Sequence, residues 1–326
     1  MRKQNTLRVG FTLAAALALV APGIQAQPKF PVRPIQFVVP YPPGGSNDIF
    51  ARAIGKKLAE ALGQPVVIDN RPGAGGSVGT AYVAKAAPDG HTLAMVSSSF
   101  TTNAAAQPRL PFHPVQGFSP VAMVGKGPLV LATAAGLGMR SPAEFLAYAK
   151  ARPGKVNYGT SGTGSINHFA TELFKAAAGV ELTHVPYKGM GPAINDLIGG
   201  HVDMIIASVP SIMGQVKAGK VTGIAVTSER RSPVAPELPA LAESGLPGYA
   251  VELWWGVLAP AGVPKDVVAR LNAEINGALA TAEMKEFLLR EGAQTEPLSP
   301  EAFAALVRSE IARWQKVARD AGIQSD

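Results

Sequence analysis

The stretch IQFVVPYPPGGSNDIFARAIGKKLAEALG, residues 35–63, contains a strand-like run, a glycine-rich loop and a helix-like run in that order. Ile35–Val39 is apolar and is followed by a proline, which predicts a short buried strand. The helix-like run is apolar on one face, and Gly63 is placed to end it. The apolar residues of that face are Phe50, Ile54, Leu58 and Leu62. A strand that leads through a loop into a helix is the repeating unit of α/β folds.

Strand-like and helix-like segments continue to alternate almost to the C-terminus. This alternation predicts a parallel sheet with crossover helices. The further predicted strands are 66–68, 92–96, 156–158, 183–187, 202–206, 223–227 and 251–258. The further predicted helices are 77–86, 142–151, 166–178, 192–198, 212–218, 264–280, 283–290 and 300–321.

The pattern divides into two α/β halves. The second half starts near residue 130 and ends near 247, where four prolines cluster, and the chain then returns along 251–258 to complete the first half. We therefore predict an α/β fold with two lobes: residues 27–129 plus 248–326 form lobe 1, and residues 130–247 form lobe 2. Two chain crossings form the hinge. Because ligands of open α/β sheets bind beyond the carboxyl ends of the strands, we expect a ligand cleft between the lobes.

The N-terminal residues 1–26 have the pattern of an export signal. Three basic residues precede the apolar run Val9–Val20, and the small residue Ala26 ends a plausible cleavage site. A membrane-anchoring helix is the alternative, but the run is shorter than the roughly 20 residues that a bilayer core requires. We expect a mature chain that begins near Gln27 and works in the periplasm.

The composition excludes several classes of function. The formal net charge is +7, and removal of a leader with three basic and no acidic residues leaves +4. Basic residues are scattered and aromatic residues are few, so we expect no nucleic-acid partner. The chain has no cysteine, which excludes disulfides and thiolate metal sites. We expect no cofactor and no metal, and we expect a monomer.

Four predicted loops at strand ends are rich in glycine and hydroxyl residues. Glycine lets a backbone approach a ligand closely, and the N–H groups at a helix start attract an anion. The loops are Tyr41–Asp48, Asn70–Ser77, Ser97–Asn103 and Gly159–Ser165. The candidate ligand-binding residues in these loops are Tyr41, Gly44, Ser46, Asn47, Asp48, Ser98, Thr102, Thr160, Ser161, Thr163, Gly164 and Ser165.

Three further candidates lie outside these loops: His168 in the next helix, Tyr187 at a strand end and Asp203 within the predicted strand 202–206. Each candidate also has a structural interpretation. Loop hydroxyl, amide and carboxylate side chains also act as helix caps, and His168 also suits a hydrogen-bonded position in the core.

Sequence motifs for catalysis are incomplete. The run Gly159–Thr163 ends in threonine where a nucleophile elbow needs glycine, and no P-loop or complete dinucleotide fingerprint occurs. The five histidines show no close metal-binding spacing. We expect no enzymatic activity; the alternative is a secreted hydrolase that uses Ser161 or Ser98 with a distant histidine.

Several motifs together resemble the extracytoplasmic receptor family of tripartite tricarboxylate transporters, the Bug receptors. The resemblance extends from about residue 31 to 320. The motifs, after the leader, are Tyr41–Arg52, Asn70–Gly76, Pro88–Leu93, Gly159–Ser165 and Val185–Gly189.

This resemblance implies a type II periplasmic-binding-protein fold that closes on a small organic carboxylate, with membrane components of a transporter as partners. Family ligands include di- and tricarboxylates, acidic amino acids and aromatic acids. By resemblance, Asp203 matches a position near the cleft wall. Two loops match ligand loops of the family: Ser46, Asn47 and Asp48 in the first, and Thr160, Ser161, Thr163 and Ser165 in the second. An orphan ligand sensor of the same fold is the alternative role.

Overall fold

A computed structural model describes residues 30–107 and 109–324. The predicted export signal, residues 1–26, lies outside these ranges. The strands are β1 (Ile35–Val39), β2 (Val66–Asn70), β3 (Thr92–Ser97), β4 (Phe118–Ala134), β5 (Val156–Thr160), β6 (Leu182–Pro186), β7 (Met204–Ser208), β8 (Val221–Val226) and β9 (Glu252–Pro260). The α-helices are α1 (Ser46–Leu62), α2 (Ser77–Ala84), α3 (Ser99–Ala106), α4 (Pro142–Lys150), α5 (Ile166–Ala178), α6 (Met190–Gly199), α7 (Val209–Lys217), α8 (Lys265–Ala280), α9 (Ala282–Arg290) and α10 (Pro300–Ala321).

All strands and helices predicted from the sequence are present, most with ends within two residues of the expected positions. Two elements were not predicted. The third glycine-rich loop contains α3, whose serine, threonine and asparagine residues have low helix propensity. The long strand β4 contains two prolines and two glycines, which are rare in a strand interior. None of the helices in the described ranges has the length and hydrophobicity needed to span a bilayer.

Helix ends follow from local residue types. Gly63 has a φ of 68° and ends α1, where its N–H group donates to the Ala59 carbonyl. Only glycine adopts this left-handed conformation without a steric penalty from Cβ. At the start of α5, the Ser165 side chain accepts a hydrogen bond from the His168 N–H group.

The strands form one sheet in the order β2-β1-β3-β9-β4-β7-β5-β6, and β8 also pairs with β4. The pairs β1–β2, β1–β3, β5–β6 and β5–β7 are parallel. The prediction of a parallel sheet is wrong for the middle of the sheet, because β4 and β9 run antiparallel to each other and to their other neighbours. The chain passes between the halves in β4 and returns in β9, so these strands have opposite directions.

Strand β4 belongs to both halves of the sheet. Its residues Phe118–Pro128 pair with β9, and Leu129–Ala134 pair with β7 and β8. The change of partners between Pro128 and Leu129 carries the chain across without a loop. The two lobes are therefore connected by strands at the centre of the sheet.

The main hydrophobic core is continuous from one half to the other. Phe37 and Phe50 from the first half belong to the same buried cluster as Tyr158 from the second half. On the C-terminal helix α10, the fully buried Trp314 packs edge-on against Phe169 of α5, with ring centroids 5.5 Å apart. This contact joins α10 to the helix that begins at the fourth glycine-rich loop.

Candidate ligand-binding cavity

A cavity of about 1070 Å³ lies where loops from both halves of the sheet meet. One wall is formed by residues at the carboxyl ends of β1, β2 and β3, and the other by residues at the carboxyl ends of β5, β6 and β7. This is the position expected for a ligand site in an open α/β sheet. A shallower depression of about 480 Å³, beside α3 and the end of α10, contains none of the predicted site residues.

Eight of the predicted residues lie in the cavity wall: Tyr41, Gly44, Ser46, Asn47, Ser161, Thr163, Ser165 and Tyr187. The other seven predicted residues lie outside it: Asp48, Ser98, Thr102, Thr160, Gly164, His168 and Asp203. The six side chains among these seven residues form hydrogen bonds with other groups of the protein.

Asp48 holds the first loop from outside the cavity. Its carboxylate accepts hydrogen bonds from the Gly44 N–H group at 3.0 Å, from the Arg52 guanidinium at 2.9 and 3.0 Å, and from the Asn70 amide at 3.0 Å. Burial alone raises the pKa of the Asp48 carboxyl, but these hydrogen bonds outweigh burial and hold the pKa below its ordinary value. Asp48 therefore stays ionised and keeps the loop in position.

Ser46 and Asn47 begin α1 and contribute to the cavity wall. The Trp255 indole N–H group donates to Ser46 Oγ at 3.0 Å. The Ser46 oxygen is thus occupied as an acceptor, and its own hydrogen can donate to a ligand. The Asn47 amide nitrogen donates to Ser97 Oγ at 3.5 Å, and its buried Oδ1 has no protein partner among the described residues.

The second loop packs tightly between Tyr41 and Asn103. A Cβ at Gly76 would lie 3.1 Å from the Tyr41 ring, and a Cβ at Gly75 would lie 2.9 Å from the Asn103 amide. The Asn103 amide donates to the Gly75 carbonyl. Burial raises the pKa of Tyr41 to about 12, despite hydrogen bonds with Ser97 and Ser99 that lower it. The tyrosine is therefore neutral at the cavity wall.

The fourth loop and the start of α5 present hydroxyl and amide groups. The Ser161 hydroxyl donates to Asn167 Oδ1 at 2.7 Å, and the Asn167 amide donates to the Ile206 carbonyl at 2.7 Å. The Ser165 hydroxyl donates to the Gly162 carbonyl at 2.6 Å. Since a helix start leaves backbone N–H groups without intrahelical partners, this wall suits an anion.

Thr160 and His168 support this loop from behind. Thr160 is fully buried, and its Oγ1 lies 2.7 Å from His184 Nε2. The buried His168 accepts a hydrogen bond from the Gly164 N–H group at 3.3 Å. Thr160, Gly164 and His168 do not line the cavity, since Thr160 bonds to His184 and Gly164 to His168; their role in ligand binding stays a prediction.

Three other predicted residues have partners away from the cavity. Ser98 is fully buried, and its Oγ accepts a hydrogen bond from the Trp254 N–H group at 2.9 Å. Thr102 donates to the Ser99 carbonyl at 3.3 Å within α3. The Asp203 carboxylate accepts from the Asn157 N–H group at 2.7 Å and so connects two strands.

Other wall residues were not among the predicted site residues. Ser208 and Ser211, at the junction of β7 and α7, have hydroxyl oxygens 2.7 Å apart. Two hydroxyls beside a proline at a helix start are a signal that sequence reasoning could have used. The remaining unpredicted wall residues include Ser97, Ser99, Asn103, Asn167, Lys188, Met190 and Ile194.

The wall is almost uncharged. Among the residues that the structure describes, its one ionic side chain is that of the exposed Lys188. The rest are hydroxyls, amides, backbone groups and apolar side chains, and the starts of α1, α5 and α7 lie in the wall. Partial positive charge at helix starts stabilises an anion without a buried arginine. The Ser161 hydroxyl donates to an amide oxygen, and the described wall residues offer it no histidine or carboxylate as a base.

A family model, protein sequences and solved structures of other proteins are similar to this chain over most of its length. The family model "Tripartite tricarboxylate transporter family receptor" matches residues 50–323. Protein BugT of Bordetella pertussis is 39% identical over 309 residues, which cover 94% of each chain. The structure of Rpa4515 from R. palustris with adipate is 38% identical, with a TM-score of 0.86, and the match covers 90% of this chain and 99% of that one. The structure of MatC from Rhodopseudomonas palustris with malate is 35% identical, with a TM-score of 0.81 and coverage of 88% and 99%.

Proposed function

Since this chain belongs to the tripartite tricarboxylate transporter receptor family, we propose that its cavity captures a small carboxylate-bearing molecule for delivery to the membrane components of a transporter. The ligand leaves the cavity chemically unchanged. Two similar structures contain adipate and malate, which are small dicarboxylates. The receptor acts in the periplasm as a monomer, after removal of residues 1–26.

One observation carries this proposal: six loops from both halves of the sheet converge on one cavity with neutral hydrogen-bond donors. A carboxylate needs several donors, and it loses hydration when it enters a protein. Backbone N–H groups at helix starts and hydroxyls such as that of Ser46 can replace that hydration. Ordered water can complete the shell at little cost.

The proposed lobes are residues 27–129 plus 248–326, and residues 130–247. The change in pairing partners of β4 between Pro128 and Leu129 supports a hinge there, and the return through β9 supports a second crossing. Rotation about these two strands would bring the two cavity walls together on a ligand. A ligand that contacts both walls stabilises the closed form because it binds that form better.

A thermal-shift screen of the mature chain from Gln27 tests the function. The panel contains citrate, malate, adipate and benzoate, with uncharged adipamide as the matched control for adipate. We expect at least one carboxylate to stabilise the protein, by about 2.7 kcal/mol at a hundred times its dissociation constant, and adipamide to have no effect. Mass spectrometry should recover that carboxylate unchanged. Stabilisation by adipamide equal to that by adipate, or no response to any acid, would contradict the proposal.

A further inference from the structure

Two histidine rings lie directly behind the loop formed by residues 160–165. The rings of His168 on α5 and His184 on β6 are stacked, with centroids 4.0 Å apart and planes inclined by 13°. The Tyr158 ring lies against His184, with centroids 4.9 Å apart. His168 is 6% exposed. The two rings are therefore packed behind the cavity wall formed at the carboxyl ends of β5, β6 and β7, and neither ring lines the cavity.

Each ring forms a hydrogen bond with the loop through one nitrogen. The Gly164 N–H group donates to His168 Nδ1 at 3.3 Å. The Thr160 oxygen accepts from the Gly162 N–H group at 3.2 Å, and its hydroxyl lies 2.7 Å from His184 Nε2. The direction of the Thr160–His184 hydrogen bond depends on the tautomer of the His184 ring. His168 must be uncharged for its Nδ1 to accept from Gly164, because a protonated imidazole has no acceptor nitrogen.

We propose that His168 and His184 are positioning residues that, as a pair of uncharged imidazoles, hold the 160–165 loop in the shape that binds the ligand carboxylate. The inference rests on the proposed function, since it assigns a role in carboxylate affinity. The loop presents Ser161, Thr163 and Ser165 to the cavity, while His168 binds the Gly164 N–H group directly and His184 binds the Thr160 hydroxyl that accepts from Gly162. Loss of His168 leaves the Gly164 N–H group without its acceptor, and loss of His184 frees the Thr160 hydroxyl to rotate away from Gly162.

Burial is the main reason that both rings are uncharged, and the nearby charged groups modify its effect. His168 Nε2 lies 3.9 Å from the Glu172 carboxylate, which also accepts hydrogen bonds from Lys175 at 2.7 and 2.9 Å and from the Tyr158 hydroxyl. Burial lowers the pKa of His168, Glu172 partly opposes that change, and Lys175 adds to it. Burial, with smaller contributions from His168 and Lys175, lowers the pKa of His184 to about 4. Both rings are therefore neutral at pH 7.

Acid has a defined consequence for this arrangement. A proton on His168 Nδ1 would place a donor opposite the Gly164 N–H group, and protonation of both rings would place two positive charges on rings whose centroids are 4.0 Å apart. Because these pKa values are lower than that of a histidine in the unfolded chain, the folded state is fully favoured above about pH 6.5. Its advantage declines as the pH falls from about 6.5 towards 4.

Matched substitutions separate the acceptor from the bulk of the ring. Asparagine and leucine have similar shapes, but only asparagine can accept from Gly164, so His168→Asn is compared with His168→Leu. His184→Gln is compared with His184→Met, because glutamine and methionine have similar shapes but only glutamine can form a hydrogen bond with the Thr160 hydroxyl. The probe is the acid from the panel of citrate, malate, adipate and benzoate that binds the wild type most tightly, and calorimetry measures its dissociation constant.

We expect His168→Asn and His184→Gln to change the dissociation constant less than about threefold, and the leucine and methionine variants to raise it about tenfold or more. Melting of each unliganded variant identifies any that fails to fold. Equal affinity within both matched pairs would overturn the inference. A wild type that binds none of the acids would instead overturn the proposed function.

A pH profile supplies a readout that simple packing would not change. The dissociation constants of the wild type and of the double variant with His168→Asn and His184→Gln are compared between pH 7 and 4. Protonation of the ligand affects both proteins equally. We expect the wild type to lose affinity more steeply below pH 6 than the variant. Parallel profiles would overturn the claim that the uncharged state of the pair is required.

Discussion

The hydroxyl of Ser46 shows how a buried aromatic residue orients a group in the cavity wall. Trp255 is fully buried on β9, packs edge-on against Phe50 at 4.7 Å between ring centroids, and donates its indole N–H to Ser46 Oγ. Because one lone pair of Ser46 Oγ accepts from the indole, the Ser46 hydroxyl proton can point towards a ligand in the cavity. A donor that is already oriented costs less conformational entropy when a carboxylate binds.

Replacement of Trp255 by phenylalanine should weaken binding. Trp255→Phe removes the N–H donor but keeps an aromatic ring, so we expect the dissociation constant to rise about fivefold and unfolding free energy to fall by about 2 kcal/mol. Trp254→Phe is the matched control, because Trp254 is the adjacent buried residue and its indole nitrogen has no partner among the described residues. The control should lose stability with unchanged affinity. Equal affinity losses in the two variants, measured by calorimetry, would contradict the role assigned to the Ser46 contact.

At the scale of elements, the loop between β2 and α2 determines where the Tyr41 side chain lies. Gly76 has a φ of 101°, and a Cβ at this position would lie 3.1 Å from the Tyr41 ring, which is closer than an ordinary van der Waals contact. Asn103 of α3 holds the same loop through the Gly75 carbonyl. Three elements of the first wall, β1, β2 and β3, are thus connected through one glycine-rich segment.

The substitution Gly76→Ala tests this connection. It adds backbone strain of about 1 kcal/mol and a clash with Tyr41, so we expect lower stability and a dissociation constant raised about tenfold. Gly138→Ala is the control, because Gly138 also has a positive φ of 69° but has open space at the Cβ position. Gly138→Ala should lose stability through backbone strain alone and should bind the panel acids with unchanged affinity. If Gly76→Ala bound the panel acids as tightly as the control, Tyr41 would have no place in the site.

The sequence predicts elements better than it predicts which way a side chain points. Strands such as Ile35–Val39 can be recognised in the sequence, because a short apolar run that ends at a proline favours a buried strand over other secondary structures. Strand β4 is not, since Gly125 and Gly127 are required there by close contacts with the backbone near residues 292–294, which are distant in sequence. The glycine-rich loops are visible as composition, so the location of the site could be predicted.

The individual roles within the loops depend on partners that only the fold brings together. Asp48 has the same local sequence context as Ser46, but Arg52 and Asn70 bind its carboxylate outside the cavity. Thr160 belongs to a ligand-loop motif, but its hydroxyl lies 2.7 Å from His184 Nε2 on the neighbouring strand β6. Sequence spacing does not contain these contacts, because they depend on how strands pair.

For the whole molecule, the two crossing strands have two consequences. The carboxyl ends of both sets of parallel strands lie at the same cavity. One continuous hydrophobic core extends through both halves of the sheet. We propose that the lobes move by rotation about β4 and β9, with Trp314 and Phe169 in contact on the core side. A hinge of this kind closes a cavity without exposing the core.

The electrostatics of the molecule are also compatible with a small anion. The predicted mature chain has a formal net charge of +4, and Lys188 is the one ionic side chain in the described wall. A mild positive charge attracts anions, and specificity must come from hydrogen bonds and shape. The wall therefore supports binding of a carboxylate with modest dependence on salt.

The most direct test is a crystal structure of the mature chain with the tightest-binding acid of the panel. The account predicts that one carboxylate lies between the two walls, within hydrogen-bond distance of donors at the start of α1 and of donors in residues 161–167. Direct and water-mediated contacts both satisfy this prediction. A ligand that touches only one lobe, or whose carboxylate pairs with charged side chains outside the cavity, would contradict it.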